Sequence, residues 1–135
     1  MTGIRREGDR AFSGSPHEAD FGSARAVQAG PLVLVSGCTA LRDGLVVGEG
    51  DPYRQARRAI AAALEALAVF GLGKADVVRT RMFVTHTRDT EAVGRAHRDE
   101  LGEVRPAATM VVVQGLVDSR TMVEIEVEAL RRDPS

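Results

Sequence analysis

The sequence predicts an α+β domain, a mixed β-sheet with two helices packed on one of its faces. Three observations predict it. Segments 51–70 and 89–101 have the apolar spacing of helices and alternate with strand-like runs, giving the order β-β-α-β-α-β-β. Helices placed between successive strands demand crossovers to parallel neighbours, whereas the short connection after residue 114 permits an antiparallel one, so the sheet is mixed. Two helices cover only one face, yet Val33-Leu34-Val35 and Val111-Val112-Val113 point apolar side chains to both sides. The uncovered face is expected to meet another copy of the chain.

Each element has its own justification. Residues 1–22 are polar and turn-rich around Phe12-Ser13-Gly14-Ser15-Pro16, and are expected to form a polar N-terminal segment of a single domain spanning 1–135. A short strand is expected over Ala24–Gln28. The run Pro31–Ser36 is apolar on both sides and belongs in mid-sheet. In Asp51–Phe70, residues Tyr53, Ala56, Ile60, Ala63, Leu64 and Leu67 share one helical face. Asp51 is suited to cap that helix, Pro52 to occupy its first position, and Gly71 to end it in the left-handed conformation.

Val77–Thr85 alternates with period two and carries Arg79 and Arg81 on one face. A helix is expected over about Asp89–Leu101. Ala107–Gln114 and Thr121–Leu130 are expected strands, joined by Gly115–Arg120, a link short enough for an antiparallel hairpin or a near relative of one.

Composition narrows the function. A chain of 135 residues supports one core without staples. Its charge, 18 − 19 = −1, offers no footprint for phosphate backbones or anionic lipid. Trp is absent and Tyr53 is the one Tyr, so base-stacking platforms are missing too. Nucleic acid and membrane are therefore not expected partners. No apolar run approaches the ~20 residues that span a bilayer, and Met1–Arg6 does not lead into a secretory signal, so the expected location is the cytoplasm. Cys38 is the single cysteine, which excludes an intrachain disulfide and a multi-thiolate zinc site.

No cofactor or metal is expected. His17, His86 and His97 lack the i, i+4 spacing of paired ligands, and the helix between His86 and His97 sets them roughly 15 Å apart. His97 and Glu100 share a helix face as a solvated or partner-facing pair. Gly48-Glu49-Gly50-Asp51 carries two carboxylates that repel phosphate and lacks a following Lys-Ser/Thr. Cys38 follows Ser36-Gly37 at a strand end, where it is either a nucleophile or a small buried filler. Period two places Glu124, Glu126 and Glu128 on one face of the last strand, opposite Ile125 and Val127. That face is either solvated or, against a neighbouring subunit, holds a partly desolvated carboxylate able to pass protons. Arg79 and Arg81 are either its counter-ions or solvated charge.

Several segments carry a family likeness in their order and spacing: Ser36-Gly37, Gln55, Leu64-Glu65-Ala66-Leu67 running to Gly71, Asp76-Val77-Val78-Arg79 leading to Phe83-Val84, Arg105-Pro106-Ala107 and Val123-Glu124-Ile125-Glu126. A subgroup likeness is carried by Ser13-Gly14-Ser15-Pro16, Arg25-Ala26-Val27, His97 and the Arg105–Met110 run. Together they resemble the RidA/YjgF/YER057c family of enamine/imine deaminases, also described as endoribonuclease L-PSP-like. The resemblance implies a chorismate-mutase-like fold, a homotrimer whose sheets form a central barrel, and small-molecule clefts between subunits. It also implies an arginine after Pro-Ala that grips the substrate carboxylate, backbone help near Ser-Gly, and a glutamate that positions water. Glu126 matches that glutamate, and Ser36, Gly37, Cys38, Ala108, Thr109 and Met110 fall on cleft-lining positions.

The arginine is replaced by Ala108, a loss of charge-assisted bonds worth about 3 kcal/mol, or roughly a hundredfold in rate. With Cys38, Ala108 and Met110 in place of polar anchors, the expected ligand is less acidic and more apolar than an amino-acid-derived imine. The implied function is metabolite binding in intersubunit clefts, with imine or enamine hydrolysis by Glu126 that does not use the family's arginine. The alternatives are a non-catalytic ligand- or partner-binding trimer, or another biosynthetic reaction on the same fold. Arg25, Arg79 and Arg105 are the candidates to replace the missing cation.

Overall fold

The computed structural model describes residues 3–132. In chain order these form strands β1 (Arg5–Glu7) and β2 (Arg10–Phe12), helix α1 (Pro16–Phe21), and strands β3 (Ala26–Ala29), β4 (Leu32–Cys38), β5 (Leu41–Arg42) and β6 (Leu45–Val46). Helix α2 (Pro52–Ala68), strand β7 (Val77–Val84), helix α3 (Thr90–Leu101) and strands β8 (Ala107–Val112) and β9 (Val123–Leu130) follow. Seven strands make one sheet in the order β1-β2-β3-β4-β9-β7-β8, and β5-β6 is a separate small hairpin.

The doubly apolar run of β4 sits at the centre of that order, as its composition predicts. β9 runs antiparallel to both β4 and β7, so those two strands run in the same direction and α2 is a crossover between them. β8 pairs parallel to β7 through the second crossover, α3. The sheet is mixed, with α2 and α3 together on one face.

Helix α2 begins and ends on the residues that mark it in the sequence. The Asp51 carboxylate accepts the Arg54 N–H at 3.1 Å, and Pro52 opens the helix. At the other end Gly71 takes φ 79°, which lets Leu72 N–H reach Leu67 O at 3.1 Å and Gly71 N–H reach Ala68 O at 3.0 Å. The face carrying Ala56, Ile60, Ala63 and Leu67 is buried against the sheet side of Val33, Ile125 and Val127, with Val93, Ala96 and Leu101 of α3 in the same core. Gln55, fully buried, ties the helix to two loops. It donates to Gly48 O at 3.2 Å and Arg120 O at 3.3 Å, and accepts from Met122 N–H at 2.8 Å.

Two expectations are corrected. β8 and β9 do not form a hairpin, because β9 lies between β4 and β7 and is separated from β8 by the whole of β7. Only a slot between two strands buries the inward residues Val123, Ile125, Val127 and Ala129 completely, all at 1% exposure or less. The connection passes over the end of β7, where Thr85 N–H bonds to Met122 O and Val113 N–H to Val84 O.

The N-terminal segment is also more than a loop. β1 and β2 pair antiparallel around Gly8 and extend the sheet beyond β3. β1 is an edge strand with charged side chains on both sides, and β2 is only three residues long with the buried Ala11 at its centre, too short to show alternation, so the sequence hides them. Glu18 then organises the turn before α1 by accepting the N–H groups of Ser13 and Gly14 and the Ser13 hydroxyl.

Candidate functional site

The face of the sheet away from the helices carries the site, and a bulge in β4 creates it. Val35 lies opposite Val127 and Cys38 opposite Ile125, so Ser36 and Gly37 together face the single residue Glu126. An extra residue in one strand bends it and re-aims the side chains around it. Gly37 is thereby pressed against the neighbouring carboxylate. A β-carbon built at position 37 would stand 2.2 Å from Glu124 Oε2 and 2.6 Å from its Cδ, so glycine is the residue that leaves Glu124 room to lie flat on the strand.

Along β9 the three outward carboxylates have different neighbours. Arg81 Nη1 donates to Glu128 Oε2 at 2.8 Å and stands 3.6 Å from Glu126 Oε1. Arg81 is thus a counter-ion, and period-two pairing across β7 and β9 puts it there. Glu124 has no ion pair within 4 Å among the described residues. Burial pushes its carboxyl above the ordinary range, the nearby Glu126 charge adds to that, and Arg25 acts in the opposite direction. One row therefore contains a neutralised pair and a carboxyl that holds its proton more tightly than usual.

Arg25, in the turn before β3, closes the upper edge. Its Nη1 lies 2.8 Å from Gly37 O, 3.2 Å from Ser36 O, 3.1 Å from Ser36 Oγ and 3.3 Å from Cys38 Sγ. Ser36 Oγ in turn donates to Arg25 O at 3.0 Å, so guanidinium and bulge hold each other in place. Arg25, Leu34, Ser36, Arg81, Glu126 and Glu128 line an open hollow of about 300 Å³.

The Endoribonuclease L-PSP family model matches residues 16–131. The chain belongs to the endoribonuclease L-PSP family. It is 53% identical over 122 residues to an uncharacterized protein of Streptomyces coelicolor, covering 90% of this chain and 91% of that one. A Mycobacterium tuberculosis crystal structure from the YjgF/YER057c/UK114 family superposes with TM-score 0.79 at 39% identity, covering 88% of this chain and 95% of that one. The YjgF gene product of Escherichia coli superposes with TM-score 0.74 at 27% identity, covering 81% and 87% respectively. The sheet with its two main helices is thus the fold of the L-PSP family.

Within this L-PSP fold the residues singled out from sequence divide between two faces. Ser36, Gly37, Thr109 and Glu126 lie on or beside the helix-free face, Thr109 in register with Arg81. Met110 packs against the core, and a β-carbon at Gly94 of α3 would meet its Cε at 3.9 Å. Ala108 shares Met110's side of β8, in register with the buried Thr80. Cys38 is 2% exposed, and burial raises its thiol pKa, which suits a filler and an acceptor for Arg25. Arg105 lines a different hollow, of about 980 Å³, together with Lys74, Arg98 and Pro106.

His97 and Glu100 do not act as a pair, since His97 Nε2 meets Thr80 Oγ1 at 2.8 Å while Glu100 takes Arg57. Among the described residues no group of three or more His, Cys, Asp or Glu converges as a metal site, and no helix is long and apolar enough to cross a membrane. Sequence reasoning missed the distinction between Glu124 and Glu126. Alternation places both on one face, but the contact of Glu124 with Gly37 depends on a bulge that no residue pattern announces.

Proposed function

We propose that this protein is a small-molecule-binding homotrimer of its family that hydrolyses an imine or enamine in clefts between subunits, and that it works in the cytoplasm. The observation that carries the reading is Glu124, a half-buried carboxyl with a raised pKa at a glycine bulge on the face left bare by the helices. General acid–base catalysis near neutral pH needs a group of that kind. The sequence likeness assigns water positioning to Glu126. The geometry favours Glu124 for the proton and gives Glu126, paired with Arg81, the part of the fixed charge that keeps Glu124's proton affinity high.

In the proposed reaction Glu124 as carboxylate takes a proton from water while the water oxygen bonds to the imine carbon and the C=N pair moves to nitrogen. Glu124 returns that proton to nitrogen to give the carbinolamine, and then carries the carbinolamine hydroxyl proton to the same nitrogen. The C–N bond then breaks as the oxygen re-forms a carbonyl, releasing ammonia. Water and imine become carbonyl compound and ammonia, and Glu124 ends as it began.

Assembly is supported by the apolar side chains on the same bare face, where Leu34 is 37% and Val111 is 42% exposed beside the half-buried Phe83. The test is ammonia release from a panel of imines generated in situ. Glu124→Gln is expected to lower the rate on the order of 10²–10⁴-fold, and full activity in that variant overturns the mechanism. A second reading, a non-catalytic binding trimer, is favoured by Ala108 standing where the family's arginine is implied. Saturable ligand binding with no turnover by the wild-type protein decides for it.

A further inference from the structure

The larger of the two hollows lies away from the Arg25 site. About 980 Å³ in volume, it opens between the last turn of α3, the short turn Lys74–Asp76 and the first residues of β7 and β8, and it shares no residue with the hollow beside Arg25. Phe83 of β7 stands opposite Glu124, so Val77, in the wall of the larger hollow, is roughly 20 Å along the strand from that carboxyl.

Lys74, Arg98, Arg105 and Arg132 line this hollow, against Asp99, Glu100 and Glu103. Two of the acids are engaged: Asp99 accepts the Tyr53 hydroxyl at 2.6 Å and stands 3.6 Å from Arg98, and Glu100 pairs with Arg57 of α2 at 2.5 Å. Among the described residues Lys74, Arg105 and Arg132 have no carboxylate within 4 Å, and Glu103 has no cation. Three unpaired cations less one unpaired carboxylate leave a surplus of two positive charges in one concavity.

The backbone singles out Arg105 among them. Its φ is 52°, and Asp43 is the other non-glycine with positive φ among the described residues. A short Asp side chain tolerates the left-handed region by bonding locally, whereas a long side chain there is strained where glycine would not be. Arg105 N–H bonds to Leu101 O at 3.0 Å and holds the conformation at the end of α3. Strain that a glycine would relieve is thus kept at a residue whose guanidinium lines the hollow without a partner.

We propose that this hollow binds a small phosphate monoester. Arg105 forks onto two phosphate oxygens, Lys74 and Arg132 supply the remaining charge, and the organic part lies on the half-buried Val78, Val104 and Pro106. A monoester carries about −1.5 to −2 charges at pH 7, which matches the surplus of two, and a hollow of this size with an apolar wall holds more than the phosphate alone. The site is independent of the proposed hydrolysis and of the assembly.

The experiment measures binding of ribose 5-phosphate, inorganic phosphate and ribose by calorimetry at low ionic strength, with thermal melts of each variant. Wild type is expected to bind ribose 5-phosphate at least threefold more tightly than inorganic phosphate, and ribose not at all. Arg105→Gly is expected to melt at the same or a higher temperature while binding ribose 5-phosphate at least tenfold more weakly. Glu103→Gln is expected to bind it more tightly. Lys74 is the single lysine of the chain, so ribose 5-phosphate should also slow its acylation by an amine-reactive ester, read by mass spectrometry.

Binding of neither phosphate probe, equal binding of ribose and its phosphate, or an Arg105→Gly variant of unchanged affinity overturns the proposal. So does Lys74 acylation at the same rate with and without ribose 5-phosphate, which places the phosphate elsewhere. An Arg105→Gly variant that melts lower makes Arg105 a stabilising residue and counts against the proposal; if that variant does not fold, Lys74→Gln, expected to bind at least threefold more weakly, and the acylation rate decide. Citrate that binds more tightly than ribose 5-phosphate overturns the choice of phosphate.

Discussion

Gly37 and Glu124 compete for the same space. The Glu124 carboxylate lies where a side chain at position 37 would begin, 2.2 Å from an added β-carbon, and stays half-buried there while Glu126 and Glu128 stay with Arg81.

Gly37→Ala therefore moves Glu124 and little else. The displaced atoms are the end of a flexible side chain, so the stability cost is expected to be below about 1 kcal/mol. The Glu124 pKa, raised mainly by burial, falls toward the ordinary carboxylate range, and ammonia release drops on the order of a hundredfold. Carboxyl-carbon NMR titration follows the first effect. A Glu124 titration that does not move in the alanine variant contradicts the account.

Glu126→Gln removes a like charge from beside Glu124. Since that charge helps raise the Glu124 pKa, its loss lowers the pKa, and the acid limb of the kcat/KM profile moves to lower pH. A shift to higher pH, or no shift, refutes the division of labour between the two carboxylates.

Glu124→Gln is expected to stabilise the fold at neutral pH even as it removes activity. A carboxyl whose pKa is raised on folding binds its proton more readily folded than unfolded, so stability falls as pH rises from the unfolded pKa through the folded one. Removing the group removes that loss. Thermal melts at pH 7 should show a higher Tm for the variant, and a lower Tm argues against a desolvated acid.

His97 gives the opposite slope. Burial lowers its imidazole pKa, with Nε2 held against Thr80 Oγ1 at 2.8 Å. The unfolded chain takes up the proton first, so stability is lost as pH falls through the unfolded value of about 6.5 toward the lowered folded one. His97→Gln should flatten this part of the Tm-against-pH curve between pH 7.5 and 5.5. A variant that keeps the full acid slope assigns the loss to other groups.

Gln55→Leu strands Arg120 O and Met122 N–H, while Gly48 O keeps the Asp51 N–H at 2.8 Å, in a site where the Gln55 side chain has no exposure. Unpaired buried polar groups make the expected cost on the order of 3 kcal/mol, read by urea unfolding. A cost below 1 kcal/mol would mean that water reaches these groups.

Val111→Glu places a charge on the bare sheet face, where Val111 is 42% exposed. If the proposed trimer forms through this face, sedimentation equilibrium should show trimers of the wild-type chain and folded monomers of the variant, and a variant that remains trimeric moves the interface elsewhere.

Much of the architecture is legible in the residues. The central place of β4, the cap at Asp51, the stop at Gly71, the crossover helices and the acidic row of β9 all follow from local periodicity and conformational preference, which neighbouring residues set among themselves. The helix-free apolar face is legible for the same reason. The strand order is not, because β9 could pair with β8 or enter the slot between β4 and β7, and only burial of Val123, Ile125 and Val127 on both flanks selects the slot. The site is decided later still. Which of three identical carboxylates is desolvated, and which arginine keeps free donors, depend on a one-residue bulge that brings Gly37 against Glu124 and binds Arg25 by one nitrogen. The first of those contacts joins segments 87 residues apart in the chain, and their energies exist only once the sheet has formed.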